Sequence, residues 1–163
     1  MDLSLITDPV ERVRMYLKSV SCDAPIILAK ETIFTVEDAS RAVGAPPEEI
    51  LKSMLFSAQT DEKEWVLALM SGANRVSDKK IKRILGVRGV RMGTAEAIRS
   101  FSLFEPGGVP PVGYPVQPRT LIDEDLFKYP VVWSAAGSDH AFFPISPDEL
   151  QRITSGETAD IKK

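Results

Sequence analysis

Residues 50–72 read "ILKSMLFSAQTDEKEWVLALMSG" and contain two apolar runs separated by a polar segment. The runs are "ILKSMLFSA" (50–58) and "WVLALMSG" (65–72), and the polar segment is "QTDEKE" (59–64). Each run has the length of a strand, and a short polar turn between two such runs is typical of a hairpin. We therefore predict an antiparallel hairpin of mostly buried strands.

Five segments outside this hairpin have helical patterns that begin at a capping residue. A Ser, Thr or Asp before an apolar periodic stretch is a helix start signal, and Pro at the first helical position strengthens it. In the segment of residues 77–86, Ile81, Ile84 and Leu85 are predicted to face inward. The segments are residues 8–20, 35–44, 77–86, 94–101 and 146–154.

Short apolar runs elsewhere predict further strands, at residues 25–29, 87–92, 119–123, 130–136 and 141–146. Strands and helices alternate irregularly and include hairpins, so a doubly wound parallel sheet is not favoured. We predict one mixed α/β (α+β) domain, with a curved, barrel-like mixed β-sheet surrounded by helices. Residues 160–163, "DIKK", are predicted to fray.

The bulk composition limits the class of protein. The chain has 163 residues, a net charge of −3, 44% hydrophobic residues and one cysteine, Cys22. No apolar run approaches the roughly 20 residues that cross a bilayer, and the first residues do not resemble a signal peptide. One Cys and one His cannot supply the usual zinc ligands. We expect a cytoplasmic protein with no metal site.

Basic residues are concentrated between Arg75 and Arg91, where the chain has seven basic residues and one acidic residue, Asp78. Such a stretch on an acidic protein could contact a polyanion over a small area. It could equally be a solvated helix face. The sequence leaves both interpretations open.

Lys52 is the first candidate for chemistry. In a strand with a period of two, it lies on the same face as Met54 and Phe56. An ammonium group at the end of an apolar face is either a solvated strand terminus or the charged group at the mouth of a pocket. In a pocket, its compact charge would suit a phosphate or a polarised ester carbonyl.

Two other features are weaker candidates. Residues 105–115, "EPGGVPPVGYP", contain three Gly and four Pro, which specify the shape of a loop rather than its reactivity. The single histidine, His140, lies in a small-residue turn between two predicted strands. A Cys22–His140 nucleophilic pair is conceivable, but nothing indicates a lowered pKa for the cysteine.

The order of these segments resembles the YbaK/prolyl-tRNA synthetase-associated domain family of trans-editing aminoacyl-tRNA deacylases. The resemblance covers residues 35–161, and it divides the chain into an N-terminal helical extension with the first strand (1–30) and an editing domain (31–163). The segments that carry it are "TVEDASRAVGAPPEEILKSMLF", "VLALMSGANRVSDKKIKRILG", "EPGGVPPVGYP", "LIDEDL" and "ISPDELQRITSGETADI".

The resemblance implies hydrolysis of the ester of a mischarged tRNA, without a cofactor. Lys52 matches the essential lysine of the family, and Gly107 and Pro111 match the ends of its G-x-x-x-P loop. The chain departs from the family in having uncharged residues, Ala73, Asn74 and Ser77, where an acidic residue is common. The resemblance assigns substrate binding to Gly72, Gly107, Gly108, Val109, Pro111, Gly137 and His140.

The partner implied is the acceptor end of a mischarged tRNA, with prolyl-tRNA synthetase as a second partner. The expected substrate is the tRNA for proline carrying a small wrong amino acid such as alanine or cysteine. A non-catalytic module that binds tRNA or the synthetase, and a small-molecule ester hydrolase, are the alternatives. Contacts with tRNA are expected from Arg75, Lys79, Lys80, Lys82 and Arg83.

Overall fold

The computed structural model describes residues 2–62 and 64–163. Over these residues it has five α-helices, eight strands and four short 3₁₀ segments. The helices are α1 (Pro9–Ser19), α2 (Val36–Val43), α3 (Asp78–Leu85), α4 (Ala95–Ser102) and α5 (Pro147–Thr154). The strands are β1 (Ile27–Leu28), β2 (Leu51–Ala58), β3 (Glu64–Ser71), β4 (Val90–Met92), β5 (Arg119–Asp123), β6 (Val132–Ala135), β7 (Ala141–Ile145) and β8 (Glu157–Ala159).

The predicted hairpin is confirmed as β2 and β3, which pair antiparallel over their whole length. They form the centre of a five-stranded sheet of order β4-β2-β3-β5-β8, in which β5 is parallel to both β3 and β8. A second, antiparallel sheet has the order β1-β7-β6. The prediction of a mixed α+β single domain is therefore confirmed.

The predicted barrel-like closure is not supported. The two sheets meet through an isolated bridge between Ile50 and Trp133. Within residues 2–62 and 64–163, neither sheet closes on itself, and the four edge strands are β4, β8, β1 and β6. A single bridge is too short to continue a ladder around a barrel, because closure needs a full set of inter-strand hydrogen bonds.

Both faces of β2 carry buried apolar side chains because the five-stranded sheet is covered on both sides. Leu51 and Leu55 point into one buried cluster, which also contains Val13 of α1. Phe56 and Ala58 point into a second cluster on the opposite face. The alternation of β2 side chains between two cores follows from the two-residue period of a strand.

The capping signals of the sequence place the helix starts correctly. The Asp8 carboxylate accepts a hydrogen bond from the amide of Val10 at the start of α1. At α2, Thr35 and Asp38 exchange hydrogen bonds in a capping box, the arrangement that satisfies two of the free amides of a helix N-terminus. None of the helices among the described residues combines the length and apolarity needed to cross a membrane.

Two local predictions are wrong. Ile84 was predicted to face inward, but it is 37% exposed, because α3 turns only Ile81 fully into the core. The C-terminal segment 160–163 was predicted to fray, but Ile161 is fully buried. The carbonyl of Ile161 accepts a hydrogen bond from the amide of Ser77 at 2.7 Å, which ties this segment to the start of α3.

Candidate active site

A cavity lies where one edge of β2 lacks a partner strand. Along this edge, Ile50 bridges to Trp133, and residues 56–58 pair with β4. Residues 51–54 have no partner on this side in the described part of the chain. Lys52 and Ser53 from this unpaired stretch line a cavity of about 300 Å³. The cavity is thus a consequence of how the two sheets diverge.

Three other segments complete the walls of this cavity. The start of α2 and the residues before it contribute one wall, which includes Phe34. The loop after α4 contributes Pro106, Gly107 and Val109, and β6 with the β6–β7 turn contributes the opposite side. Among the described lining residues, the charged side chains are those of Lys52 and Asp139. The cavity is mainly apolar with one cation and one anion.

The Lys52 side chain is half-buried, and its orientation is set by the backbone. Its Nζ donates a hydrogen bond to the carbonyl oxygen of Asn74 at 2.6 Å. Burial lowers the pKa of Lys52 below its ordinary value, and the negative charge of Asp123 opposes that shift. One of the three donors of an ammonium group is used by Asn74, so two remain for a ligand.

A group of polar side chains behind Lys52 holds Asn74 in place. We call Asn74, Asp123, Asp125 and Lys162 the carboxylate cluster. The Asn74 amide nitrogen Nδ2 donates to Asp123 at 2.8 Å and to Asp125 at 2.9 Å. Asp123, which is fully buried, also accepts a hydrogen bond from the amide of Ser71 at 3.1 Å. Each carboxylate therefore has several donors, as burial of a charge requires.

The same cluster shifts the titration of Asp125. Its hydrogen bond with Lys162, and further hydrogen bonds with Asn74 and Lys128, hold the pKa of the Asp125 carboxyl well below its usual range. No local pattern of the sequence identifies this cluster, because Asp123, Glu124 and Asp125 after "RTLI" are typical of a turn and a helix start. The signal that could have found them is the parallel pairing of β3 and β5, whose carboxyl ends meet at one sheet edge.

The glycine-proline loop is held rigidly against the core. The Tyr114 hydroxyl donates to the carbonyl of Pro110 at 2.6 Å, and Gln117 Nε2 donates to the carbonyl of Pro111 at 2.9 Å. At Gly108, a Cβ atom would lie 2.7 Å from the Cα of Ser138, so only glycine allows this approach. At Gly107, a Cβ would meet nothing within 4 Å, because that position faces the open cavity.

The structure brings together only part of the predicted substrate site. Lys52, Gly107 and Val109 line the cavity, and Gly108 packs against its Ser138 wall. His140 is exposed, and its Nδ1 lies 2.9 Å from the carboxylate of Asp139. Four of the predicted residues lie outside the lining: Gly72, Pro111, Gly137 and His140. The binding roles of all the predicted site residues stay predictions.

The predicted RNA-binding residues lie on and just before α3. Arg75 directly follows Asn74, whose carbonyl accepts the Lys52 hydrogen bond, so the basic stretch begins next to Lys52. The charge of Arg75 contributes to the lowered pKa of Lys52. Lys80 differs from its neighbours because its Nζ pairs with Asp160 at 2.8 Å. The side chains exposed to solvent are those of Arg75, Lys79, Lys82 and Arg83.

The Cys22 thiol, which the sequence offers as a candidate nucleophile, does not line this cavity. Cys22 is buried in the main core cluster and lines a separate surface depression beside α1. Within residues 2–62 and 64–163, no group of three or more His, Cys, Asp or Glu side chains is arranged to hold a metal ion.

Comparisons with known proteins point to one family. The model of the aminoacyl-tRNA editing domain matches residues 30–153. The uncharacterized protein YwhH of Bacillus subtilis is 27% identical over 120 residues, which is 74% of each chain. Proline–tRNA ligase of Limosilactobacillus fermentum is 31% identical over 94 residues, or 56% of this chain, and the match spans 16% of the ligase.

The fold is also shared with solved structures. The crystal structure of a candidate trans-editing enzyme for prolyl tRNA synthetase superposes with a TM-score of 0.89 at 34% sequence identity. The superposition covers 95% of this chain and 97% of the other. The similarity of the fold therefore extends over nearly the whole chain.

Proposed function

The chain belongs to the aminoacyl-tRNA editing domain family, and on that premise we propose that it is a trans-acting deacylase of mischarged tRNA. The observation that carries this proposal is that Lys52 and Gly107 line one cavity. That cavity combines a cation with a stiff backbone wall. Such preorganised groups stabilise charge that develops in a transition state.

The reaction is hydrolysis of the ester between the amino acid and the terminal ribose. An oxygen nucleophile, which is a water molecule or a substrate hydroxyl, forms a bond to the ester carbonyl carbon. The carbon–oxygen bond to the ribose then breaks, and a proton passes to the departing ribose oxygen. When a hydroxyl attacks, water releases the amino acid in a second step. Lys52 acts as a donor to the carbonyl oxygen or the terminal phosphate, not as a base.

The substrate we propose is the tRNA for proline carrying alanine or cysteine. Two relatives support it: a segment of proline–tRNA ligase is similar to this chain, and a structural neighbour is a candidate trans-editing enzyme for prolyl tRNA synthetase. A difference of one methylene in a hydrophobic pocket contributes only about 1–3 kcal/mol. Selection between these amino acids therefore depends on small differences in the shape of the cavity.

The basic stretch is proposed to contact the acceptor stem. Arg75 lies beside Lys52, and the exposed cations of α3 extend from it. Lys80 is already paired with Asp160, so we expect it to contribute less than Lys79 or Lys82. Prolyl-tRNA synthetase is the protein partner of this proposal. The division of the chain at residue 30 remains a prediction.

The deciding experiment is deacylation of alanyl-tRNA for proline by Lys52→Ala. Loss of a preorganised donor of this kind lowers kcat by about 100-fold to 1,000-fold. The melting temperature should change little, because Lys52 is only half-buried and makes one side-chain hydrogen bond. Lys18→Ala is the matched control, since Lys18 lies on α1 and does not line this cavity.

Cysteinyl- and seryl-tRNA for proline, with correctly charged prolyl-tRNA, complete the substrate panel. Equal turnover by the wild type and Lys52→Ala would contradict the role of Lys52. Binding of the tRNA without turnover of any substrate would instead indicate a non-catalytic tRNA-binding module. Faster hydrolysis of simple aminoacyl esters than of tRNA substrates would indicate a small-molecule esterase.

A further inference from the structure

Phe34 differs from the other phenylalanines of this chain. The sequence has seven phenylalanines. Six of them are buried or half-buried, whereas Phe34 is 82% exposed. Phe34 also lines the cavity that contains Lys52, and its exposure places it at the edge of that cavity. A single exposed apolar residue is ordinary on a protein surface. An exposed aromatic ring at the mouth of a cavity is a ready contact for a flat ligand group.

The backbone that carries this ring is held in place. The amide of Phe34 donates to the Asp38 carboxylate at 3.1 Å. The amide of Ile33 donates to the carbonyl of Asp139 at 2.6 Å. An apolar residue before a helix N-cap commonly packs on the fourth helical residue. That residue is Ala39 here, and its methyl group is too small to cover a phenyl ring.

The other aromatic residues of the cavity are already engaged. Trp133 and Phe142 also line it, but their rings contact each other edge to face, with centroids 5.8 Å apart. Phe142 is only 8% exposed. Among the described lining residues, Phe34 is therefore the aromatic ring with the most surface free for stacking.

We propose that Phe34 stacks on the unpaired terminal base of the RNA substrate and so holds the ester at the cavity mouth. This inference rests on the proposed function, because it takes an RNA 3′ end as the ligand. Proteins recognise single-stranded RNA by stacking unpaired bases on aromatic side chains. In this arrangement, the base lies on Phe34 at the rim, and the aminoacyl ester enters the cavity towards Lys52. Phe34 is then a substrate-binding residue that positions the ester.

The test is a double-mutant cycle on binding, which does not require catalysis. The first RNA is a fluorescently labelled minihelix of the acceptor stem with a single-stranded CCA end. The second RNA is the same minihelix without the terminal base. Removal of the base should weaken binding to the wild type by about fivefold to 150-fold, the range expected for stacking on an aromatic ring. The same removal should have almost no effect on binding to Phe34→Ala.

Two further variants separate stacking from apolar contact. Phe34→Trp should keep the dependence on the base, whereas Phe34→Leu should lose it, because leucine has no π-face. Leu5→Ala is the control, since Leu5 is 78% exposed and lies outside the cavity lining. Leu5→Ala should behave as the wild type.

The outcomes distinguish this inference from the proposed function. If removal of the base weakens the wild type and Phe34→Ala equally, or if the wild type binds neither RNA, the stacking role is overturned. If the cycle shows coupling but mischarged tRNA is not hydrolysed, the stacking role stands and the deacylase proposal fails. If mischarged tRNA is hydrolysed but the cycle shows no coupling, the deacylase stands without a stacking role for Phe34.

Discussion

The two ends of β2 are built in different ways. At the C-terminal end, residues 56–58 pair with β3 on one edge and with β4 on the other, and Phe56 is buried in an apolar cluster. At the N-terminal end, Lys52 and Ser53 pair with β3 only, and their other edge faces the cavity. One strand thus has a closed end and an open end.

The support behind the two ends differs as well. The closed end is held by apolar packing, which does not depend on pH. The open end is held by the carboxylate cluster, whose hydrogen bonds involve ionised groups. The open end has no partner strand on one edge, and Lys52 and Ser53 line the cavity there, where a ligand can contact them.

The largest effect on folding is expected at the closed end. Phe56→Ala should lower the free energy of unfolding by about 3–5 kcal/mol, because it removes a large side chain from a packed core. Met92→Ala is the matched control: Met92 faces Phe56 across the β2–β4 ladder but is 48% exposed. Urea denaturation measures both. A similar small change in both variants would contradict the closed-end assignment.

The next effect separates two adjacent glycines of the loop at the open end. Gly108→Ala should lower the free energy of unfolding by about 1–3 kcal/mol, because its Cβ would collide with the backbone of Ser138. Gly107→Ala has open space for its Cβ and should leave the melting temperature nearly unchanged. It should nevertheless reduce deacylation, because its methyl group enters the cavity. Equal destabilisation by the two substitutions would show that the loop adjusts as a whole.

The smallest effect concerns pH. The folded-state pKa of Asp125 lies below its ordinary value, so its contribution to stability is present at neutral pH. That contribution is lost as the pH falls below about 3.9, the ordinary aspartate pKa, towards the folded-state value. Lys162→Ala removes the largest cause of the shift. Its stability deficit against the wild type should therefore be greatest near neutral pH and should shrink in acid.

Unfolding by urea at about pH 7 and about pH 3 measures this difference. The deficit of Phe56→Ala, which removes no charge, is the reference and should change much less between the two pH values. A Lys162→Ala deficit that stays constant with pH would show that Asp125 is not stabilised by this ion pair in solution.

The sequence alone determined the elements whose signals are local. The β2–β3 hairpin follows from two apolar runs and a polar turn, and the start of α2 follows from Thr35 and its capping partner Asp38. The face that Lys52 shares with Met54 and Phe56 follows from the two-residue period of a strand. All of these depend on residues near one another in the chain.

Only the tertiary structure decided the surroundings of Lys52. The Ser71 amide meets the Asp123 carboxylate across a separation of 52 residues, because β3 and β5 pair in parallel. Ile161 is buried because the C-terminal segment returns to the start of α3. The cavity exists because β4 and β6 approach different ends of one strand edge. Each contact joins residues far apart in the chain, so no local pattern of side chains could predict it.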